Sequence, residues 1–172
     1  MNSKQTMAVL NSCPADQFVK WIGPVFEHSP WIAEATATNR PFADLQTLHE
    51  ALCQTVRGAG HEQQLGLIQA HPDLVGRAAL AGTLTSQSTS EQAAAGLNAL
   101  TPEEIALFQK FNAAYRDKFG FPFVVCARLN KKEAILNGFQ VRLEHSRDAE
   151  VETALGEIYK IAYLRLQDIV EP

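Results

Sequence analysis

The sequence has no long apolar run and no excess of basic charge. None of its apolar stretches approaches the roughly 18 residues that a membrane-spanning helix needs. The formal net charge is -4, and acidic and basic residues are mixed along the chain. No basic patch of the kind that binds nucleic acid or anionic lipid is visible. The sequence therefore predicts neither a nucleic acid nor a membrane as a partner.

Cysteines are too few and too scattered for a disulfide framework. The three residues Cys13, Cys53 and Cys126 are odd in number and lack paired metal-ligand spacing, a pattern typical of reduced thiols in the cytosol. Cys126 lies in an apolar run, and we expect it to be a small core residue. Residues 1–14 contain no apolar core of the signal-peptide kind. These observations together predict a cytoplasmic protein.

The rest of the composition is that of an ordinary globular protein. The 172 residues are 46% hydrophobic and 20% charged. A chain of this length buries about two-thirds of its unfolded surface without disulfides or metals. No internal repeat or low-complexity linker divides it. We therefore expect a single domain over residues 1–172.

Helical periodicity dominates the chain. Apolar residues recur at steps of three and four, for example at Leu45, Leu48 and Leu52. The clearest helix start is at Thr101, which is followed by a proline and, three residues on, by Glu104. Asn130 and Glu133 are expected to cap a later helix in the same way. The pattern predicts about eight helices, near residues 14–22, 31–35, 42–56, 61–70, 91–97, 101–119, 130–143 and 148–169.

Two segments depart from helical periodicity. Residues 72–90 contain Gly76, Gly82 and many threonines and serines, and we expect a loop there. Residues 121–127 are apolar and β-branched but include Pro122, and they are too isolated to form a sheet. They are predicted to form a buried extended segment. The expected fold class is all-α: a helical bundle with one extended buried segment.

The polar loop contains the candidate chemistry, because loops on a rigid scaffold often carry sites. It begins at His71, and histidine is the residue type best suited to proton transfer near neutral pH. Taken alone, His71 is more simply an incidental or partly buried histidine, and Asp73 a turn residue. Ser88 and Glu91 fit a capping box, with Ser88 as the cap. A helix N-terminus beside Ser88, Glu91 and Gln92 would also hold an anionic substrate.

Several motifs follow one another along the chain in a fixed order. The first is Glu27-His28-Ser29-Pro30-Trp31-Ile32-Ala33. The middle set is His71-Pro72-Asp73-Leu74-Val75-Gly76-Arg77, Gly82-Thr83-Leu84-Thr85, and Ser88-x-x-Glu91-Gln92 with Ala95-Gly96-Leu97. The last two are Asn112-x-x-Tyr115-x-x-Lys118-Phe119-Gly120-Phe121-Pro122-Phe123-Val124 and Ile158-x-x-Ile161-Ala162-x-Leu164-Arg165-Leu166. Together they cover nearly the whole chain, and the series resembles the OHCU (2-oxo-4-hydroxy-4-carboxy-5-ureidoimidazoline) decarboxylases of ureide formation.

The resemblance implies an all-α enzyme, often dimeric, that needs no metal or organic cofactor and converts the small molecule OHCU to (S)-allantoin in urate degradation. By similarity, His71 is the catalytic histidine and Glu91 its acidic partner. Arg165 is implied as a carboxylate clamp. Further substrate contacts are implied for Pro72, Ser88, Thr89, Ser90 and Gln92 and for the backbone of Phe123, Val124, Val125, Cys126 and Ala127. The chain is similar to the stand-alone bacterial type, without the fused transthyretin-like domain of some members, and we expect a homodimer.

Two other function classes remain open from the residues themselves. A metal-dependent hydrolase would use His71, Asp73 and Glu91 as mixed nitrogen and oxygen ligands. No second histidine lies four residues from His71, however, and the other histidines share no ligand spacing with it. A helical protein-interaction module would dock a partner on its Phe and Leu faces. The polar, unpatterned loop argues against that alternative.

Overall fold

The structure is a computed structural model that describes residues 4–172, so the first three residues of the N-terminal segment 1–14 lie outside it. Residues 4–172 form ten α-helices and three short 3-10 helices, with one isolated bridge between Gln5 and Val170 and no strand. The predicted all-α class is confirmed. The helices are α1 (Met7–Ser12), α2 (Ala15–Ile22), α3 (Trp31–Thr36), α4 (Leu45–Arg57), α5 (His61–Gln69), α6 (Arg77–Ala81), α7 (Ser86–Ala94), α8 (Pro102–Phe119), α9 (Lys132–Arg142) and α10 (Arg147–Ile169).

Helix α8 forms as its local signals predict. The Thr101 hydroxyl accepts a hydrogen bond from the Glu104 amide at 3.2 Å, and the Glu104 carboxylate accepts one from the Thr101 amide at 2.9 Å. This reciprocal capping box satisfies two N–H groups that the helix itself leaves unpaired. Gly120 ends the helix with a φ of 77°, a left-handed conformation that glycine adopts without steric cost.

The prediction of a loop over residues 72–90 is partly wrong. This segment contains the short helix α6, and α7 begins at Ser86 rather than near Glu91. The Thr85 hydroxyl caps α7 by accepting a hydrogen bond from the Ser88 amide at 3.2 Å. The predicted capping box of Ser88 and Glu91 is therefore wrong, because Ser88 lies inside the helix. The Thr89 amide also donates within the helix, to the Thr85 carbonyl at 2.9 Å.

Two further helix starts differ from the prediction. The short helix α1 has no counterpart among the predicted helices. Helix α9 begins at Lys132, and its N-cap residue Lys131 makes no side-chain cap hydrogen bond. The sequence predicts Asn130 as the cap of this helix. Its side-chain amide instead donates to the carbonyl of Cys126 at 3.0 Å, so it supports the extended segment rather than the helix.

Backbone contacts group the chain into two compact units, and the prediction of one domain over residues 1–172 stays a prediction. The first unit runs up to Ala70 and resumes over Tyr159–Pro172. The fully buried side chains of its core include Leu10, Phe18, Ile22, Leu48 and Leu52. Its two ends are tied together, because the Gln5 amide donates to the Ile169 carbonyl at 2.8 Å and the Gln5 carbonyl accepts from the Glu171 amide at 2.9 Å.

The second unit, His71–Ile158, has an aromatic core around Tyr115. The rings of Phe119 and Phe123 lie 4.6 and 5.3 Å from the Tyr115 ring, and Phe123 stacks on Phe139 at 3.8 Å between centroids. Aromatic pairs in such geometries stabilise a core beyond the area that they bury. Cys126 is buried as expected, and all three cysteines are free thiols. Within residues 4–172, no helix is both long enough and apolar enough to cross a membrane.

Candidate functional site

His71 opens the loop that links α5 to α6. Helix α5 ends at Gln69, as expected from a proline at position 72, because the residue before proline disfavours the helical conformation. The His71 side chain is buried, with 7% of its surface exposed, and Pro72 is partly exposed. The predicted catalytic histidine therefore lies in a sheltered position at the start of a short loop.

Two buried side chains from separate helices hold this loop. From α7, the Gln92 amide oxygen accepts a hydrogen bond from the Val75 amide at 3.1 Å, and the Gln92 nitrogen lies 3.5 Å from the Asp73 carbonyl. From α8, the Asn112 side-chain nitrogen donates to the Leu74 carbonyl at 2.7 Å. Three consecutive residues after Pro72 are thus fixed through their main chain by side-chain amides. Asn112 was a motif residue without a predicted role, and the structure gives it this one.

The turn at Val75 and Gly76 is sterically demanding. Val75 has a φ of 53°, a conformation that is rare for a β-branched residue. A Cβ atom added at Gly76 would lie 2.6 Å from the Cβ of Asp73, too close for any larger residue without a shift of the turn. The loop after His71 is therefore a specific, strained conformation, of the kind that concentrates at functional sites.

Helix α7 presents three of the predicted site residues on one face. Ser88, Glu91 and Gln92 are spaced by three and four residues, and Ser88 and Gln92 are buried while Glu91 is partly exposed. Thr89 and Ser90 are exposed, and the Thr89 hydroxyl donates to the Thr85 carbonyl at 2.9 Å. The fold therefore groups three of the five predicted residues of α7 and leaves the side chains of Thr89 and Ser90 facing solvent.

The extended segment is confirmed between Pro122 and Cys126, where the backbone is neither helix nor strand. Main-chain groups of this segment are hydrogen-bonded to charged side chains. The Val124 carbonyl accepts from the Arg142 guanidinium at 2.6 Å, and the Cys126 amide donates to the Glu157 carboxylate at 2.8 Å. Between them, Val125 is the one residue of the stretch 121–127 that is not buried.

Helix α7 packs against the 3-10 helix Ala127–Leu129, which follows the extended segment. The Lys131 ammonium group also donates to the carbonyl of Ala94 at the end of α7, at 3.0 Å. The loop after His71, helix α7 and the 3-10 helix that follows the extended segment are therefore joined by direct contacts within the unit His71–Ile158.

Behind the extended segment lies a buried charged cluster that the sequence did not indicate. Glu150 is fully buried, and its Oε1 accepts from Arg142 Nε at 2.7 Å and from the Tyr115 hydroxyl at 2.5 Å. Its Oε2 pairs with His145 Nδ1 at 2.9 Å. Burial, and then the hydrogen bond to Glu150, raise the pKa of the Tyr115 hydroxyl well above its ordinary value, so Tyr115 is a neutral donor.

The proposed metal ligands of the hydrolase alternative are not arranged as a metal site. Arg116 Nε contacts both carboxylate oxygens of Asp73, at 3.0 and 3.1 Å. Within the part of the chain that the structure describes, no group of three or more His, Cys, Asp or Glu side chains is placed to hold a metal ion. The geometry therefore gives that alternative no support.

Arg165 belongs to the first unit, where it is buried and paired. Its guanidinium donates to Glu27 Oε2 at 2.9 Å and lies 3.4 Å from the Val25 carbonyl. Glu27 and Arg165 come from the first and the last of the motifs in the sequence, 138 residues apart. The role of Arg165 as a carboxylate clamp stays a prediction, and its ion pair with Glu27 is a contact that the sequence did not indicate.

Comparison with known proteins gives a consistent result. The family model described as OHCU decarboxylase matches residues 11–167. A 2-oxo-4-hydroxy-4-carboxy-5-ureidoimidazoline decarboxylase of Halalkalicoccus jeotgali is 39% identical over 170 residues, which cover 99% of this chain and 94% of that protein. The protein of the same name from Mus musculus is 38% identical over 164 residues, covering 95% and 92% of the two chains.

Two solved structures have the same fold. The crystal structure of (S)-allantoin synthase matches 96% of this chain with a TM-score of 0.78 at 29% identity, and this chain spans 54% of that one, about half its length. The crystal structure of OHCU decarboxylase in the presence of (S)-allantoin matches 87% of this chain and 96% of that chain, with a TM-score of 0.70. Its sequence identity is 23%, so this second likeness concerns the fold alone.

Proposed function

This chain belongs to the OHCU decarboxylase family, and we propose that it converts OHCU to (S)-allantoin, the third step of urate degradation. It is a carboxy-lyase that acts on a small molecule. The observation that carries the proposal is the family match over residues 11–167, which includes the His71 loop, α7 and the extended segment. The position of His71, sheltered at the start of a fixed loop, supports it.

The proposed chemistry follows from the substrate. OHCU carries a carboxylate and a hydroxyl on C4, next to a C5=N imine. When the bond from C4 to the carboxylate breaks, CO2 departs and the electron pair of the bond forms a C4=C5 double bond, while the imine nitrogen takes up the displaced pair and a proton. The hydroxyl then loses its proton as C5 gains one, which leaves allantoin. The imine is thus the electron acceptor, so the reaction itself requires no added cofactor.

The enzyme then has to orient the carboxylate and to move protons stereoselectively. Holding the breaking bond perpendicular to the ring system supplies several kcal/mol by fixing a reactive conformer. We assign the proton transfer between the hydroxyl and C5 to His71, because imidazole donates and accepts protons near neutral pH. We assign to Glu91 the role of orienting the imidazole, since a carboxylate partner fixes its tautomer and favours its charged form.

We infer that the substrate's ureido and ring amides bind between the buried face of α7 and the extended segment. These groups need both donors and acceptors, which Ser88, Gln92 and the main chain of residues 123–127 supply. Gln92 already uses its amide oxygen on Val75, so we assign its substrate contact to the second hydrogen of its NH2 group. Pro72 would lie against the ligand beside His71, and Arg165 would bind the carboxylate. The exposure of Thr89 and Ser90 limits any contribution from their side chains.

The decisive experiment generates OHCU in solution from urate with urate oxidase and hydroxyisourate hydrolase. The protein is then added, and circular dichroism is recorded at wavelengths where (S)-allantoin absorbs. We expect a rapid signal of the (S)-enantiomer that a metal chelator does not change. Slow racemic decay at the uncatalysed rate, with folded protein, would refute the decarboxylase function and favour an interaction module. Loss of OHCU without formation of (S)-allantoin, abolished by the chelator, would instead point to the metal-dependent hydrolase.

The oligomeric state and the cellular location of the protein are also predicted from the sequence. We propose that the protein is a homodimer, and light scattering coupled to gel filtration would contradict this if it gave the mass of one chain, 18.9 kDa. We also propose a cytoplasmic location. Free thiols at all three cysteines are consistent with a reducing compartment.

A further inference from the structure

Two charged side chains hold the extended segment at alternate residues. Arg142, at the end of α9, binds the Val124 carbonyl at 2.6 Å, and Glu157, from α10, binds the Cys126 amide at 2.8 Å. Hydrogen bonds that involve an ionised group are roughly twice as strong as neutral ones. Among residues 4–172 no strand lies beside the segment, so these two side chains supply hydrogen bonds that a neighbouring strand supplies in a sheet.

The position of the residue between them follows from backbone geometry. In an extended chain, the N–H and C=O groups of successive residues point to opposite edges. Val124 and Cys126 therefore use one edge, toward Arg142 and Glu157, while Val125 directs its N–H and C=O to the other edge. Val125 is also the one residue of the stretch 121–127 that is not buried. Among residues 4–172, no hydrogen bond to the main chain of Val125 is formed.

We propose that Glu157 and Arg142 are positioning residues for substrate binding, which fix the Val125 peptide groups as a donor and an acceptor for the substrate's amide groups. The inference rests on the proposed decarboxylase function. One N–H and one C=O on the same edge match a ureido or ring amide, which offers an acceptor and a donor side by side. Fixing that edge before the substrate arrives removes an ordering cost from binding.

Arg142 is itself tightly held, which makes it a poor place for a test. It pairs with the fully buried Glu150, and its guanidinium lies over the Phe123 ring at 4.2 Å from the centroid. Removing Arg142 would leave the Glu150 carboxylate buried with one strong partner fewer, which destabilises the core. Glu157 is partly exposed and contacts the segment directly, so its substitution disturbs the core less and is the better test.

The test compares Glu157→Ala, Glu157→Asp and Glu157→Gln with the wild type. Glu152→Ala removes an exposed carboxylate from the same helix and serves as the matched control. For each protein, kcat and KM for OHCU, the Kd of (S)-allantoin by calorimetry and the Tm are measured.

We expect Glu157→Ala to raise KM and Kd about tenfold, the effect of roughly 1.4 kcal/mol of lost binding free energy, with a smaller change in kcat. Glu157→Asp, which shortens the side chain, should raise both severalfold, and Glu157→Gln should recover most of the loss because its amide oxygen still accepts the Cys126 N–H.

A lower Tm with KM and Kd unchanged in Glu157→Ala would overturn the inference and leave Glu157 a structural residue. If the alanine variant does not fold, the aspartate variant decides in the same way. These outcomes are distinct from failure of the proposed function. In that case the wild type itself would not turn over OHCU, and the positioning role would fall with it.

Discussion

The side-chain oxygen of Gln92 accepts a hydrogen bond from the main-chain amide of Val75 at 3.1 Å, and both residues are buried. This contact joins helix α7 to the loop that begins at His71. A residue predicted to bind substrate therefore also holds the loop that follows the proposed catalytic histidine. Loss of the Gln92 side chain should therefore lower both the stability and the activity of the protein.

We expect Gln92→Ala to lower the free energy of unfolding by about 1–3 kcal/mol, because the buried Val75 amide loses its partner. Activity per folded molecule should also fall, since the loop after His71 is then held from α8 alone. Urea unfolding and OHCU turnover measure the two effects. Ser86→Ala, at the exposed start of the same helix, is the control and should change neither. Normal turnover in a destabilised Gln92→Ala protein would show that the loop needs no support from α7.

For His71→Ala we expect turnover to fall by about 100- to 10,000-fold, the range for loss of a general acid or base. The far-ultraviolet circular dichroism should remain that of the wild type. His61→Ala, which removes an exposed histidine at the start of α5, should retain full activity. Near-normal turnover in His71→Ala would remove this residue from the mechanism.

A catalytic role of Glu91 can be tested apart from helix capping, because Thr85 caps α7 and Ser88 and Glu91 form no capping box. We therefore expect Glu91→Gln to keep the Tm of the wild type while kcat falls. Thr85→Ala should show the opposite pattern, losing about 1 kcal/mol of stability with the helix cap. A Glu91→Gln variant with reduced stability and an unchanged rate per folded molecule would make Glu91 a structural residue.

The strained turn at Val75 predicts an unusual order of stability for glycine and alanine substitutions at this buried residue. At a buried site, glycine normally destabilises more than alanine, because it buries one methyl group less, worth about 0.8 kcal/mol. Val75 has a φ of 53°, however, and the left-handed conformation costs a residue with a Cβ roughly 1–2 kcal/mol. We therefore expect Val75→Gly to be at least as stable as Val75→Ala in chemical unfolding. A glycine variant clearly less stable than the alanine variant would mean that the turn is not strained in solution.

How far the sequence predicted the fold depends on whether the signals were local. Helix α8 was predicted from Thr101, Glu104 and Gly120, which lie at its ends and act through the nearest backbone groups. Helix α7 begins with a run of serines, threonine and glutamines and buries only polar side chains, Ser88 and Gln92, so it shows no apolar periodicity. The sequence therefore predicts a loop for the first turn of α7 and places the cap at Ser88, three residues after the actual cap, Thr85.

The polar contacts that build the candidate site are long-range, which explains why the sequence did not indicate them. Arg142 contacts Val124, 18 residues away, and Glu157 contacts Cys126, 31 residues away. Nothing in the local pattern distinguishes these charged residues from the solvent-facing residues of α9 and α10. The resemblance named His71, Glu91 and the extended segment as site residues, but the side chains that hold the segment appear only once the helices are packed.

Substitutions in the buried pair of Glu27 and Arg165 distinguish a structural role of Arg165 from a role in binding substrate. We expect Glu27→Leu to lose about 3–5 kcal/mol of stability, because it leaves a buried guanidinium without its carboxylate. Combining it with Arg165→Met should restore much of that stability, since an apolar pair of similar volume replaces a buried ion pair at little cost.

If Arg165 also binds the substrate carboxylate, the double variant should be stable and yet show a strongly raised KM. Lys160→Met, a change of an exposed cation on the same helix, is the control for lost charge. Recovery of both stability and KM in the double variant would confine Arg165 to its pairing with Glu27.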